Sequence, residues 1–299
     1  MNPRDAVEAV IGAFADANLV ALGERHWARE DSEFRLKLLR HPAFVEAAPV
    51  IVVEFAGALH QDLLDRFVAG DDVPPAELPN LWRDTTQPGA WDSPVYEEFF
   101  HAVRLANAGL PPARRLRVLA ADPPLDWTRP AGDAAIRESL DGRDRFAASL
   151  IEREVLRRGR QALLLFGALH LCRERPGTVA ELLRDYANAR CFSVIPVDEA
   201  AVAGLLAAEP ASPAEPLLVS LANSPVGALP ANELLGKGNQ RVKLVDGKMV
   251  LVPAPLFAEG LPVRQVADAC LYFGGAPPEL VPPPVKIYRG PWPKFVTRP

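Results

Sequence analysis

Asn18-Leu19-Val20-Ala21-Leu22-Gly23-Glu24-Arg25-His26 is the stretch on which the fold turns. Its first half is a short apolar run without polar alternation, the pattern of a strand buried on both faces. Val7, Val10, Ile11 and Phe14 precede it at helical spacing, so a helix feeds the strand. The same alternation continues outward along the chain. A helix carrying Phe34, Leu38 and Leu39 leads to the strand Val50-Ile51-Val52-Val53, and a helix with Leu59, Leu63, Leu64 and Phe67 follows. Phe99, Phe100 and Val103 mark another helix, Leu116 to Ala120 a third strand, about Arg143 to Arg158 a long helix, and Ala162 to Phe166 a fourth strand. A helix around Val179 to Tyr186 and the strand Cys191 to Val197 complete the series. Strands that alternate with helices need crossovers of one hand and hence a parallel sheet. The expected class is α/β, an open, mostly parallel sheet with helices on both faces.

Past residue 200 the pattern loosens into proline-rich connections. They hold a strand at Leu217 to Leu221, a hairpin at Val242 to Val252 turned by Asp246-Gly247, and a strand at Ala269 to Phe273. The expected organisation is one domain over 1–299: a core at 5–200, a β-containing C-terminal elaboration at 201–276, and an extended proline-rich tail at 277–299. With 299 residues, 49% hydrophobic and 24% charged, the chain has ample material for a core, which excludes disorder and a pure coiled coil. A net charge of -5 argues against nucleic acid as a partner, because a backbone binder needs a basic face. No apolar window reaches the roughly 20 residues of a membrane helix, and Met1 to Phe14 lacks the pattern of a signal peptide. Cys172, Cys191 and Cys270 are too few and too scattered for a disulfide framework. A cytoplasmic protein without a membrane partner is the expectation.

In an open parallel sheet, ligands bind beyond the carboxyl ends of the strands. The first strand ends Gly23-Glu24-Arg25-His26, the second in Glu54, the third in Asp122 and the fourth in Gly167-Ala168-Leu169-His170. Of five histidines, His26 and His170 each stand three residues after a glycine at a strand end, an arrangement a random scatter seldom gives. Imidazoles and carboxylates converging on one rim can hold zinc, manganese, cobalt or iron, with water or substrate in the open positions. Such a metal would activate water for hydrolysis, with Glu24 or Asp122 as general base or as a carboxylate supporting a ligand from behind. The bland alternatives are satisfied structural histidines and an Asp122 that merely fixes a turn before Pro123-Pro124. His60 on the following helix could face the same rim or sit at the surface, and Trp91 in an irregular segment could wall the pocket or cover a core edge. Arg143, at a helix start, could bind a substrate carboxylate or phosphate, although the Arg143-Asp144 pair also reads as a cap with a solvated arginine. Trp82 and Trp127 could wall a pocket or cover a core edge. His41 and His101 read as structural or surface groups. There is no Gly-x-Ser-x-Gly elbow, no Walker A loop and no Gly-x-Gly-x-x-Gly after the first strand, so a serine nucleophile and nucleotide cofactors have no signal.

Leu22-Gly23-Glu24-Arg25-His26, Glu54 and Phe166-Gly167-Ala168-Leu169-His170 resemble the superfamily that joins erythromycin esterase-like proteins, ChaN-like haem-associated proteins and the Tiki metalloproteases. Trp91, Arg104-Leu105-Ala106-Asn107, Asp122 and Arg143-Asp144-Arg145-Phe146-Ala147 are similar to the erythromycin esterase pattern. The histidine falls one residue earlier than in that branch and matches the ChaN-like and Tiki members. The resemblance spans about residues 19 to 200 and implies His26, Glu54 and His170 as the functional set. On this basis the first expectation is a hydrolase of an ester or amide in a small molecule or peptide. His26, Glu54 and His170 would hold a divalent metal, Glu24 would activate water, and Arg143 would orient substrate. A second version dispenses with metal: His26 is the general base, assisted by Glu24 or Glu54, and His170 stabilises the oxyanion. A third is a haem- or small-ligand-binding protein with a histidine, or a tyrosine such as Tyr96, as axial ligand.

Overall fold

The computed structural model describes residues 5–47, 50–127, 133–197, 200–206, 215–235, 240–245 and 248–284. Seven strands form one sheet: β1 Leu19–Glu24, β2 Val50–Gly57, β3 Arg117–Asp122, β4 Ala162–Gly167, β5 Cys191–Val197, β6 Leu217–Ser220 and, late in the chain, Ala269–Tyr272. A separate hairpin intervenes, β7 Gln240–Val245 with β8 Lys248–Pro253, which makes Ala269–Tyr272 β9. The order across the sheet is β3-β2-β4-β1-β5-β9-β6, parallel except for β6. The Asp246-Gly247 turn and residues 285–299 of the tail lie outside the described residues.

Period-two alternation decides what each face buries. Val20, Leu22, Ile51, Val53, Val118, Ala120, Leu163 and Leu165 share one core. Their neighbours Leu19, Ala21, Val50, Val52, Leu119, Ala121, Ala162 and Leu164 share the other. The first face is covered by α1 Ala6–Gly12, α2 Arg29–Arg40, α3 Pro42–Ala47, α4 Gln61–Ala69, α5 Asn80–Arg83 and α6 Pro94–Asn107. On the second face, α7 Asp133–Asp141 leads into α8 Arg143–Glu154, which packs on the sheet with α9 Val179–Leu183. A third cluster, with Ile195, Val202, Phe257, Val263 and Cys270, sits under the C-terminal elements. The α/β expectation with helices on both faces therefore holds. Among the described residues no helix is long and apolar enough to cross a membrane.

Three local expectations need correction. Strand β2 does not stop at Glu54 but runs to Gly57, with a register irregularity against β3 after Val53. The helix from Arg143 stops at Glu154, and a 3-10 turn, Leu156–Arg158, follows it. Leu59 is 43% exposed, because it falls in a 3-10 turn ahead of α4 and off that helix's apolar stripe.

Candidate active site

The strand order is what assembles the site. Strand β4 inserts between β1 and β2, so the ends of three crossover units that are distant in sequence become adjacent. Pairing between β2 and β4 stops at Val53 and Leu165. Beyond it the Glu54 carboxylate takes over, its Oε2 accepting the Gly167 N–H at 2.7 Å. A buried acid thus completes the backbone bonding where the two strands part, which fixes its position firmly.

Glu24 and His26 form the first dyad. His26 Nδ1 lies 2.9 Å from Glu24 Oε1, and the Tyr96 hydroxyl donates to the same oxygen at 2.7 Å. The other oxygen, Oε2, accepts from the Arg35 guanidinium. Glu24 is 5% exposed and Arg35 3%. Burial alone would raise the Glu24 carboxyl, but the Arg35 charge and the His26 and Tyr96 bonds outweigh it and hold the group below its ordinary value. The turn between Glu24 and α2 is braced by Asp31, whose Oδ1 accepts the Arg25 N–H at 3.1 Å while Oδ2 pairs with the Arg25 side chain at 2.6 Å. The His26 ring packs edge-on against Trp91, centroids 4.9 Å apart, and its side chain stays 40% exposed. Its Nε2 makes no hydrogen bond to a described residue.

His170 forms the second dyad. Its Nδ1 lies 2.7 and 2.8 Å from the two oxygens of Asp144, in the first turn of α8, and its Nε2 lies 3.2 Å from Glu54 Oε1. Burial would lower this imidazole, yet the bonds and charges of Asp144 and Glu54 prevail and push it up to about 9. His170 is therefore an imidazolium at neutral pH. Glu54, with burial opposing but the His170 and His26 charges and the Gly167 N–H prevailing, is drawn down to about 2. The two dyads meet at Gly167. A Cβ there would stand 2.7 Å from His26 Cε1, 2.8 Å from Nε2 and 3.4 Å from Glu54 Oε2, so glycine is required by close approach and not by a left-handed turn.

The remaining candidates divide. Arg143 comes to the rim, NH1 at 3.9 Å from Glu54 Oε1, with the Gln87 amide beside its guanidinium. Trp91 walls His26. Asp122 does not work on the rim: both oxygens are taken by Thr86, from its N–H and its hydroxyl at 2.6 Å each, and burial lifts the carboxyl to about 7. It anchors the loop that carries Trp91. His60 pairs with Asp84 at 2.8 Å and has no bond to the rim. Glu24 is likewise no water-activating base, since Tyr96, His26 and Arg35 occupy both its oxygens. Tyr96 is fully buried with its hydroxyl committed to Glu24, so it cannot serve as an axial ligand. Trp82 stacks on Phe100 and Trp127 bonds the Thr85 carbonyl, so both belong to the core.

Nothing in this arrangement lends the expected metal centre support: among the described residues no group of three or more His, Cys, Asp or Glu side chains is disposed to hold an ion. Burial pushes the Cys172 and Cys270 thiols up to about 12, which removes them as nucleophiles.

Two partners went unread in the sequence. Arg35 lies among the buried residues of α2, with Asp31 one turn before it and Leu38 and Leu39 one turn after. Two charged residues on an apolar stripe were the available signal. Asp144 carried the signal of a helix cap, and its role appears only when β4 brings His170 to it.

Residues 10–163 match the family described as "Haem-binding uptake, Tiki superfamily, ChaN". The chain belongs to this ChaN family. In this ChaN-family chain the matched span includes Glu24, His26, Glu54, Asp122 and Asp144 and ends within β4, before the His170 turn. Likeness in fold extends to a Bacillus cereus protein, 12% identical, with a TM-score of 0.50 over 92% of each chain. The type III effector HopBA1 is 11% identical, with a TM-score of 0.43 over 92% of this chain and 99% of its own. ChaN of Campylobacter jejuni, for which cofacial haem binding is described, is 14% identical, with a TM-score of 0.42 over 63% of this chain and 85% of its own. No curated protein matches this ChaN-family sequence.

Proposed function

We propose that the chain is a hydrolase of esters or amides in a small molecule or peptide, working without metal, with His26 as general base. The observation that carries this reading is the Glu24–His26 pair: a buried, immobilised carboxylate holds Nδ1 and leaves Nε2 unbonded on a side chain that reaches the surface. A carboxylate in that place fixes the tautomer with the proton on Nδ1 and stabilises the imidazolium that forms when Nε2 takes a proton. In the reaction, Nε2 accepts a proton from water as the water oxygen bonds to the substrate carbonyl carbon. The carbonyl π pair moves onto oxygen, where the His170 imidazolium and Arg143 offset the charge. As the carbon–heteroatom bond breaks, the His26 imidazolium returns its proton to the leaving alcohol or amine, and the acid is the second product.

The pH dependence tests this assignment. Burial would lower His26, but the Glu24 bond and the charges of Glu24 and Glu54 raise it above 6.5. The base form therefore appears only as pH rises through a value above 6.5, while His170 loses its proton near 9. With 4-nitrophenyl acetate as probe, kcat/KM should follow a bell with its acid limb above 6.5 and its alkaline limb near 9. Activity that is flat across this window, or that vanishes with chelator, would count against the proposal.

Gly167→Ala supplies a second test. The added carbon meets the far end of the His26 side chain, so the ring yields and the backbone does not. The expected result is a loss of about 10²-fold in kcat/KM with a stability change below about 1 kcal/mol, read from the same assay and from chemical denaturation.

The family's description supports haem binding as a second reading, with His26 as the axial candidate in place of Tyr96. A Soret band on haem titration that vanishes in His26→Ala, with no ester turnover by the wild type, would favour it.

A further inference from the structure

We propose that the segment Glu279–Val281 is a strap that positions the general base, acting through Trp27. The inference rests on the role given to His26 above, but its geometry is independent of turnover. Trp27 has φ 67, a left-handed backbone that a bulky residue adopts only when its surroundings impose it. Three contacts impose it here. The indole Nε1 donates to the Ala90 carbonyl at 2.6 Å, the backbone N–H meets the Tyr96 hydroxyl at 3.4 Å, and the Trp27 carbonyl accepts the Val281 N–H at 2.9 Å.

The strap is stitched along its length. Leu280 forms an antiparallel bridge with Ala28, and Arg29 N–H donates to the Glu279 carbonyl at 2.9 Å. The Arg29 side chain pairs with Glu279 at 2.7 Å, and the Glu279 N–H donates to Glu30 at 3.0 Å. On the other side the Ser93 hydroxyl donates to the Val281 carbonyl at 2.6 Å. Ser93 is the N-cap of α6, the helix that carries Tyr96. The strap therefore joins the loop bearing His26 to the helix bearing Tyr96, and both residues converge on Glu24 Oε1. Nothing in this set touches the His170–Asp144 dyad.

That separation makes the test selective. An imidazole N–H held by a carboxylate gives a slowly exchanging, downfield proton resonance. Full-length protein labelled in its histidine rings should show one for His26, assigned by its loss in Glu24→Gln, and one for the His170 Nδ1–H, assigned by its loss in Asp144→Asn and distinct from that of the Nε2–H facing Glu54. Val281→Pro removes the N–H donated to Trp27 and alters the packing of a side chain that sits against the core, so Val281→Ala, which keeps the N–H, is its control. The expected result is loss or severe broadening of the His26 resonance with the His170 resonance intact, together with at least a tenfold fall in kcat for 4-nitrophenyl acetate. Ser93→Ala, which deletes both the hydroxyl donated to the Val281 carbonyl and the cap bond to the Val95 N–H, should weaken the His26 resonance in the same selective way, and an unchanged resonance there decides against the strap if Val281→Pro does not fold. Persistence of the His26 resonance in folded Val281→Pro overturns the proposal. So does loss of both resonances together in Ser93→Ala, which would mark a general loosening. The selective effect in the variants of a protein whose wild type never hydrolyses an ester would leave the strap standing and remove only the hydrolase.

Discussion

His26→Ala is expected to lower kcat/KM for 4-nitrophenyl acetate by about 10³-fold, within the range that a positioned general base contributes. The fall should appear in kcat, because the imidazole acts on the proton in flight and contributes little to holding the ester. Glu24→Gln should come close behind. It removes the charge that stabilises the imidazolium and the acceptor that holds the proton on Nδ1, so Nε2 spends more time as the protonated nitrogen. The His26 side chain is 40% exposed, and its loss leaves Glu24 bonded to Arg35 and Tyr96. Stability should therefore change by less than about 1 kcal/mol, which separates a chemical defect from a folding one. Full turnover by His26→Ala would end the case for this residue as base.

The largest effect on stability is expected at Arg35, which touches no substrate. Arg35→Ala should cost about 3–5 kcal/mol at pH 7, the usual result of stranding a buried charge. Glu24 is 5% exposed, and among the described residues the Arg35 guanidinium is the cation bonded to its Oε2. Without it, burial dominates and the Glu24 carboxyl rises above its unfolded value of 4.5 instead of lying below it. The sign of the pH dependence reverses with it. The wild-type pair contributes stability above 4.5 that is lost as Glu24 protonates below that, whereas the variant is penalised at neutral pH and recovers part of its deficit as pH falls and Glu24 takes up a proton. A double variant, Arg35→Met with Glu24→Gln, carries no buried charge and should be more stable than Arg35→Ala alone. Urea denaturation of the three proteins at pH 7 and near pH 4.5 checks both points. A deficit for Arg35→Ala below about 1 kcal/mol, the ceiling for a solvent-screened pair, would show that the ion pair is not sealed from water.

The strands were legible because each is a continuous apolar run bounded by polar residues, and burial on both faces of a parallel sheet demands just that composition. His26 and His170 stood out because a glycine-led motif recurs at two strand ends. Glu54 was visible as a charge within an apolar run, but its task of bonding Gly167 where β2 and β4 part is a matter of register and has no local signature. Asp122 looked as reactive as Glu54, since each is an acid at a strand end, and His60 on the next helix was a weaker candidate for the same rim. What separates them is their partners, Thr86 and Asp84, which lie on the loop between α5 and α6, and nothing in a one-dimensional pattern says where that loop folds. The metal expectation depends on the same kind of fact: residue types set which donors exist, but whether they are disposed around one point is decided by packing, which sets the His170 nitrogens against Asp144 and Glu54.

By itself the sequence determined the α/β class, the run of strands and helices and the acid and imidazole groups near the strand ends, because hydrophobic periodicity and residue chemistry are local properties. Only the tertiary structure decided that β4 lies between β1 and β2, that Arg35 and Tyr96 serve Glu24, and that the C-terminal strap reaches Trp27. Those facts depend on which distant segments pack together, and packing is a property of the whole chain, to which no short window of residues has access.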